Sequence, residues 1–302
     1  MKVLIFGGSG FIGKNLLSLL NEKHEIFTAS LRIGNTVNSV SQADVFINLI
    51  GKAHDHSGEV TEDEFYFVNF DLAKKVYHEF VKSEAKLLVH ISSIAAVEEY
   101  ESKHFLKEDD LCNPMTWYGK SKRKAEVWLL NQPVPLGKKI VILRLPMVHG
   151  SGDKGNLKLL YKLISKKVPY PLGAFNNYRS FISVDNLAFF IESIIINYKV
   201  LEAGVYHVAD DESVSTSQII EIIKKIQNIK LLNLSLPKFM VRFVASLGDI
   251  VPIPLNSNRL KKMTSDLVVS NKKIKQALGI KKLPLTAEEG LIKTIQSFKN
   301  NK

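Results

Sequence analysis

The stretch Lys2-Val3-Leu4-Ile5-Phe6-Gly7-Gly8-Ser9-Gly10-Phe11-Ile12-Gly13 decides the fold. Four apolar residues in unbroken succession after Lys2 are what a strand buried on both faces of a parallel sheet requires. The glycines then stand in a GxxGxxG pattern at a strand-to-helix turn. There the backbone can approach a pyrophosphate, and the helix that follows turns its free N–H groups and positive dipole end toward that anion. Gly7, Gly10, Phe11, Ile12 and Gly13 are therefore expected to hold a dinucleotide.

Outward from this turn, short β-branched runs alternate with longer helical patterns. Strands are predicted at 2–6, 25–29, 44–50, 86–92 and 140–145, with helices near 11–22, 62–83 and 117–131. Right-handed crossovers through such a pattern generate an α/β, doubly wound parallel Rossmann sheet. Only about a dozen residues separate Leu31 from Asp44, too few for another strand-helix unit, so the sheet should be one unit leaner there. After Gly150 the pattern breaks into Gly- and Pro-punctuated pieces. Helices are expected at 156–165, 184–197, 217–226 and 272–277, an amphipathic helix and turn within 236–255, and a return to the sheet near 205–208. The expected organisation is a dinucleotide-binding Rossmann domain over 1–150 and a smaller α/β substrate-binding lobe over 151–302 that sends chain back to the sheet, with 299–302 frayed.

The chain has 302 residues, 45% of them apolar, which is enough to bury a core. The single cysteine, Cys112, excludes an intramolecular disulfide and a four-cysteine zinc site, and with no signal peptide in view the expected location is the cytoplasm. No run approaches 18 uncharged apolar residues, so no membrane partner is expected. The net charge of +11 invites a nucleic-acid reading, but the 35 lysines are spread along the chain without interleaved stacking aromatics, so no nucleic-acid partner is expected either.

Two further patterns carry chemistry. Tyr118 and Lys122 are four apart, neighbours on one helical face, and a nearby ammonium would let a phenol of pKa about 10 act at neutral pH. Upstream, Ser92-Ser93 ends a buried strand at the carboxyl edge of the sheet, where a hydroxyl can hydrogen-bond a carbonyl or alcohol oxygen while Tyr118 moves the proton. At the end of the second strand, Thr28-Ala29-Ser30-Leu31-Arg32 offers no carboxylate for a ribose 2′-hydroxyl; Arg32 favours NADP(H), with NAD(H) the alternative. Among only six arginines, Arg179 is the preferred diphosphate ligand and Arg259 the second, because a planar guanidinium matches phosphate better than an ammonium. His54 and His149 are left out of the chemistry.

Together these motifs resemble the extended short-chain dehydrogenase/reductase family in its nucleotide-sugar epimerase/dehydratase branch. The resemblance runs through GGSGFIG at 7–13, FINLIGKAH at 46–54, VNFD at 68–71, SSIAAV at 92–97, PMTWYGKSK at 114–122, LRLPMVHG at 143–150 and RSFISVDNLA at 179–188. It implies Ser93 as catalytic hydroxyl, Tyr118 as acid/base and Lys122 as its activator and a ribose ligand. It places Leu49, Ile50, Gly51, Asn69, Ser92, Leu145, Pro146 and Val148 against the cofactor, and Ser93, Thr116, Asn156, Arg179 and Arg259 against the substrate. It also implies a UDP-sugar substrate and a homodimer formed through the helices over 65–81 and 117–130. Two departures stand out: Glu98-Glu99-Tyr100 replaces a Tyr-Gly pair common in members, and the shortened stretch before Asp44 removes the usual acidic adenine contact. Two reactions remain open. One is reduction of the C4 ketone of a UDP-4-keto-6-deoxy-N-acetylhexosamine for surface polysaccharide, favoured by Arg32 and by the likeness of 51–54 to 4-ketoreductases. The other is 4-epimerisation of a UDP-hexose or UDP-N-acetylhexosamine with retained NAD.

Overall fold

A computed structural model describes residues 1–31, 42–53, 60–167, 170, 172, 174–231, 236–250 and 256–300, and the side chains of Asn258, Arg259 and Lys262 lie outside the description. Arg32 and His54 also fall outside it.

The first half alternates as expected: β1 (Lys2–Phe6), α1 (Phe11–Leu20), β2 (Glu25–Ala29), β3 (Val45–Asn48), α2 (Glu62–Tyr66), a π-helical turn (Phe67–Asp71), α3 (Leu72–Lys82), β4 (Leu87–Ser93), α4 (Trp117–Leu130) and β5 (Lys139–Leu145). After β6 (Met147–His149) come α5 (Asn156–Ser165), β7 (Tyr178–Arg179), β8 (Phe181–Ser183), α6 (Val184–Ile196) and β9 (Gly204–His207). The chain ends through β10 (Val214–Ser215), α7 (Thr216–Gln227), α8 (Lys238–Leu247), α9 (Ser257–Thr264), α10 (Lys272–Leu278) and α11 (Ala287–Asn300). Lys299 and Asn300 thus continue a helix rather than fraying, because Phe298, 1% exposed, anchors its last turn in the core.

Six strands form one sheet in the order β2-β1-β3-β4-β5-β9, every pair parallel. Strand alternation divides the core in two. Val3 and Ile5 face a layer that includes Leu16, Leu20 and residues 187–195, whereas Leu4 and Phe6 face Val76, Tyr77, Phe80 and Leu129. One face is therefore covered by α1 and α6 and the other by α3 and α4, the two-sided burial that the continuous apolar strands demand. Among the described residues β2 and β9 are the two edge strands.

The second lobe has its own core, built from α5, α7, α8 and α11 around Tyr161, Ile164, Ile223, Leu291 and Ile295. Helix α7 starts on a reciprocal capping box, Ser215 with Gln218, and stops at Asn228 in the left-handed conformation, φ 52°.

Candidate active site

The glycine turn joins β1 to α1 at very close range. A Cβ added at Gly13 would stand 2.6 Å from the Gly8 Cα, so α1 rides directly on the turn and no side chain fits between them. Gly7 adopts φ +83°, and a Cβ there would meet the backbone of Leu49 and Ile50 at 3.1 Å. Gly10 caps α1 and donates its N–H to the Gly7 carbonyl at 3.1 Å, leaving the first turn of the helix facing outward with Phe11 and Ile12 half-buried. Gly7, Gly10, Phe11, Ile12, Gly13, Leu49, Ile50 and Gly51 thus meet at the carboxyl ends of β1 and β3. A turn in which Gly13 has no room for a Cβ, and in which one at Gly7 or Gly10 would crowd backbone at 3.1 and 3.3 Å, fits a pyrophosphate that lies against backbone N–H groups.

Beside it, a Cβ at Gly51 would lie 2.9 Å from Lys122 Nζ and 3.4 Å from Asn69 Oδ1, so three separate elements converge on one point. Asn69 belongs to the π turn that interrupts the expected 62–83 helix. The widened turn buries its amide, which donates to Ser121 Oγ (2.9 Å) and the Lys52 carbonyl (3.1 Å) and accepts from the Lys52 N–H (2.9 Å). Lys122 donates to the carbonyls of Ile91 (3.0 Å) and Ile50 (3.5 Å). Burial pulls its pKa down to about 8, against the opposing pull of Glu126.

Tyr118 and Ser93 are neighbours, close enough for the Ser93 hydroxyl to act on the Tyr118 phenol, and the Ser93 Oγ accepts the Ala95 N–H at 3.1 Å. The phenol is held above its ordinary pKa first by burial and then by the charge of Glu99, with the Ser93 hydroxyl acting the other way. The Lys122 ammonium is held by the Ile50 and Ile91 carbonyls. The Glu98-Glu99 departure has a use here: Glu99 Oε1 accepts from the N–H of Met115 (3.2 Å) and from the N–H and hydroxyl of Thr116 (both 2.8 Å). Thr116 in turn caps α4 through Gly119 N–H. Glu99 and Thr116 thus fix the helix start that presents Tyr118. A Cβ at Gly119 would clash at 2.4 Å with both Ala95 O and Glu99 Oε1, so this loop also seats on bare backbone.

Ser92 goes elsewhere. Successive strand residues point to opposite faces, and Ser92 Oγ donates to Glu126 Oε1 at 2.6 Å while Ser93 meets Tyr118. Glu126, fully buried, also receives Arg144 Nε (2.9 Å) and Nη2 (2.8 Å) and Arg123 Nη1 (3.1 Å). This network, and Asn48, whose Nδ2 donates to His90 Nδ1 at 3.1 Å while its Oδ1 accepts the Ile50 N–H at 3.0 Å, were not anticipated. The available signals were a lone Asn closing an apolar strand and an acid one helical turn after Lys122. Leu145 ends β5 and is buried, and Pro146 and Val148 follow it half-buried.

In the second lobe, a cleft of about 570 Å³ opens between α8 and α9, lined among others by Lys238, Arg242, Lys261, Ser265 and Asp266. Arg179 stands behind its wall, Nη1 donating to the Ser265 carbonyl at 3.4 Å, its pKa lowered by burial and partly restored by Asp266. Asn156 is exposed at the start of α5 and is not among the residues of this cleft. Arg259 lies on α9, whose residues border the cleft. His149 is buried and hydrogen-bonded to Thr294 Oγ1 at 2.9 Å. Among the described residues no His, Cys, Asp or Glu group is arranged to hold a metal.

Residues 1–281 match the RmlD substrate binding domain family. The chain belongs to this family, and with it to the extended short-chain dehydrogenases/reductases. It is 26% identical to a UDP-glucose 4-epimerase of Vibrio cholerae over 98% of this chain and 95% of the relative. It is also 26% identical to an N-acetyl-alpha-D-glucosaminyl-diphospho-ditrans,octacis-undecaprenol 4-epimerase of Escherichia coli O157:H7, over 97% and 94%. A UDP-2-acetamido-2,6-beta-L-arabino-hexul-4-ose reductase of Pseudomonas aeruginosa is 31% identical over 52% of this chain and 38% of its own length. Among solved structures, a UDP-glucuronic acid 4-epimerase of Bacillus cereus in complex with NAD superposes with TM-score 0.75 at 18% identity, covering 100% and 99% of the two chains. RMD of Pseudomonas aeruginosa complexed with NADPH gives 0.73 at 16% identity, with the same coverage. This RmlD-family chain shares with them the parallel Rossmann architecture.

Proposed function

We propose that this RmlD-family chain is an NAD(P)-dependent enzyme acting at C4 of a UDP-sugar, reducing the C4 ketone of a UDP-4-keto-6-deoxy-N-acetylhexosamine in surface-polysaccharide synthesis. The observation that carries this reading is that Ser93 at the end of β4, Tyr118 at the start of α4 and buried Lys122, which reaches Gly51 and the Ile91 carbonyl, gather at the strand ends next to the glycine turn. A bound dinucleotide supplies the hydride. Gly7, Gly10 and Gly13 leave room for its pyrophosphate, and Lys122 and Asn69 face the place where a ribose would lie. Ser93 hydrogen-bonds the ketone oxygen, and Tyr118 gives that oxygen its proton. A phenol held above its ordinary pKa is protonated at neutral pH, the state in which a reductase begins its cycle.

The β2 end, with Ala29 and Ser30 and no carboxylate, favours NADP(H), with Arg32 as the partner of a 2′-phosphate. Comparable Michaelis constants for both cofactors, unchanged in Arg32→Ala, overturn that preference. The substrates named for the relatives share a hexose carried on a diphosphate, and Arg242, which lines the cleft, suits that group, with Arg179 behind the wall and Arg259 on α9 retained as candidates for it. Exposed Phe67 on the π turn and Trp117, Val127 and Leu130 on α4 favour a homodimer through the helical stretch that holds the π turn and through α4.

The second reading is a 4-epimerase, favoured because the relatives that match along nearly their whole length are epimerases. Mass spectrometry of nucleotides released from the purified protein, followed by incubation with a UDP-4-keto sugar plus NADPH and with UDP-N-acetylglucosamine alone, separates the two. Stoichiometric NADPH consumption with an empty protein supports the reductase. Retained NAD with turnover of UDP-N-acetylglucosamine replaces it by the epimerase.

A further inference from the structure

Helix α8 has three different sides. Val241 and Ala245 are buried in the core of the second lobe. Lys238, Arg242 and Ser246 run along one edge and line the cleft. The outward side carries Phe239 (71% exposed), Met240, Phe243 (65%), Val244 and Leu247, and Ile250 follows just past the helix at 84%. Residues 239, 243 and 247 make one stripe at i, i+4, i+8, and 240 and 244 make the adjoining one, so the five side chains form a continuous patch. Single exposed apolar residues are ordinary on a protein surface; a helix side composed of them is not.

The charge around this patch is equally lopsided. Residues 221–264 hold eight lysines and arginines and only two acids, Glu221 and Asp249. Asp249 is engaged by the backbone and hydroxyl of Ser257. More than half of the chain's excess positive charge therefore falls within this segment of the sequence, and Lys238, Arg242 and Lys261 bring three of these cations to the cleft beside α8. An apolar stripe bordered by basic residues is the signature of a helix that lies in a membrane interface, its side chains among the acyl chains and its cations at anionic headgroups.

We propose that α8 docks onto an anionic lipid bilayer, with Phe239, Phe243 and Leu247 in the interface and Lys238 and Arg242 at the headgroups, so that the mouth of the cleft opens at the lipid surface. Among the described residues no helix is long and apolar enough to cross a membrane, and a ten-residue helix lies on a bilayer rather than through it. The expectation of no membrane partner rested on the lack of a span, which does not bear on a surface-lying helix. This inference goes beyond the proposed reaction and does not depend on it.

The experiment is co-sedimentation of the full chain with sucrose-loaded vesicles, either pure phosphatidylcholine or an equal mixture with phosphatidylglycerol, at low ionic strength. The protein is expected to sediment with the anionic vesicles and, in its absence of phosphatidylglycerol, to partition several-fold less. F239S/F243S should weaken partitioning about tenfold or more, and K238E by about fivefold or more. L136S, which removes a fully exposed leucine outside α8, should leave it unchanged. Far-UV circular dichroism and thermal unfolding identical to wild type establish that F239S/F243S is folded. Equal sedimentation of wild type and F239S/F243S, or no sedimentation with anionic vesicles, overturns the proposal. So does light scattering that shows a wild-type oligomer dissociated by F239S/F243S without vesicle binding, which assigns the patch to a second copy of the chain.

Discussion

The carboxyl end of the sheet and the cleft beneath α8 are built on opposite plans. At the sheet end each polar side chain is fixed by a partner inside the protein: Lys122 by the Ile50 and Ile91 carbonyls, Asn69 by Ser121 and Lys52, and Thr116 by Glu99. At the cleft, Lys238, Arg242 and Lys261 are exposed, and Lys261 has only an exposed salt bridge to Glu101. Groups held in this way act at a reacting centre without reorganising. Exposed cations attract an anion but add little stability. The contrast separates a preset chemical site from an adaptable binding surface.

The largest expected effect tests the preset side. Tyr118→Phe should lower turnover by roughly 10²- to 10⁴-fold with cofactor binding kept; near-normal turnover removes Tyr118 from the chemistry. Next comes the network behind it. Glu126→Ala leaves Arg144, 1% exposed, without its carboxylate, and should cost about 3–5 kcal/mol in chemical denaturation. An unfolding midpoint close to wild type would show that the buried pair is dispensable.

A pH scan reads the same region. His90 is fully buried, and desolvation, aided by Lys122, lowers its pKa to about 3, in keeping with its Nδ1 accepting from Asn48. The unfolded chain binds this proton below about pH 6.5 while the folded one does not. The stabilisation is therefore complete above about pH 6.5 and is lost as pH falls toward 3, at up to about 1.4 kcal/mol per pH unit. His90→Gln should flatten that slope, and an unchanged acid limb assigns the loss to other groups. Thr116→Ala, which removes the α4 cap, should cost about 1 kcal/mol and lower turnover by displacing Tyr118. On the other side of the comparison, Arg242→Ala should change stability by less than about 0.5 kcal/mol and raise KM without a matching fall in kcat. A thermal shift as large as that of Glu126→Ala would erase the distinction between the two regions.

How much was legible follows from period and burial. The bounds of β1 and β2 were readable because their apolar runs stop at charged or glycine residues, and α5 because its apolar spacing keeps to one helical side. Tyr118 and Lys122 were legible from their four-residue spacing and Ser93 from the family resemblance, and the structure sets Ser93 at the end of β4 and Tyr118 in the first turn of α4. The opposed directions of Ser92 and Ser93 follow from strand alternation, but the partner of Ser92 does not: Glu126 comes from the far turns of α4. Strands as short as Tyr178–Arg179 and Val214–Ser215 have no period to detect. Helix α11 was missed because Gly290 and Thr294 interrupt its apolar stripe, although Gly290 is wanted for its close approach to Ser183 and His149. The interrupted helix over 62–83 carried no sequence mark of its π turn, which tertiary contacts around Asn69 impose.

The strand β9 sets an order on synthesis. Among the described residues it is the only strand of the six-stranded sheet contributed by residues beyond 150, and it pairs along β5 through Val141 to Arg144. A nascent chain emerging from the ribosome presents β1 to β5 with the outer hydrogen-bonding groups of β5 unfilled until His207 has been translated. Such an open strand is a template for pairing with another polypeptide. A truncation before Gly204 should therefore yield aggregates rather than a smaller soluble nucleotide-binding unit, and an in-frame stop just beyond the β9 segment is the shortest form in which that edge is closed.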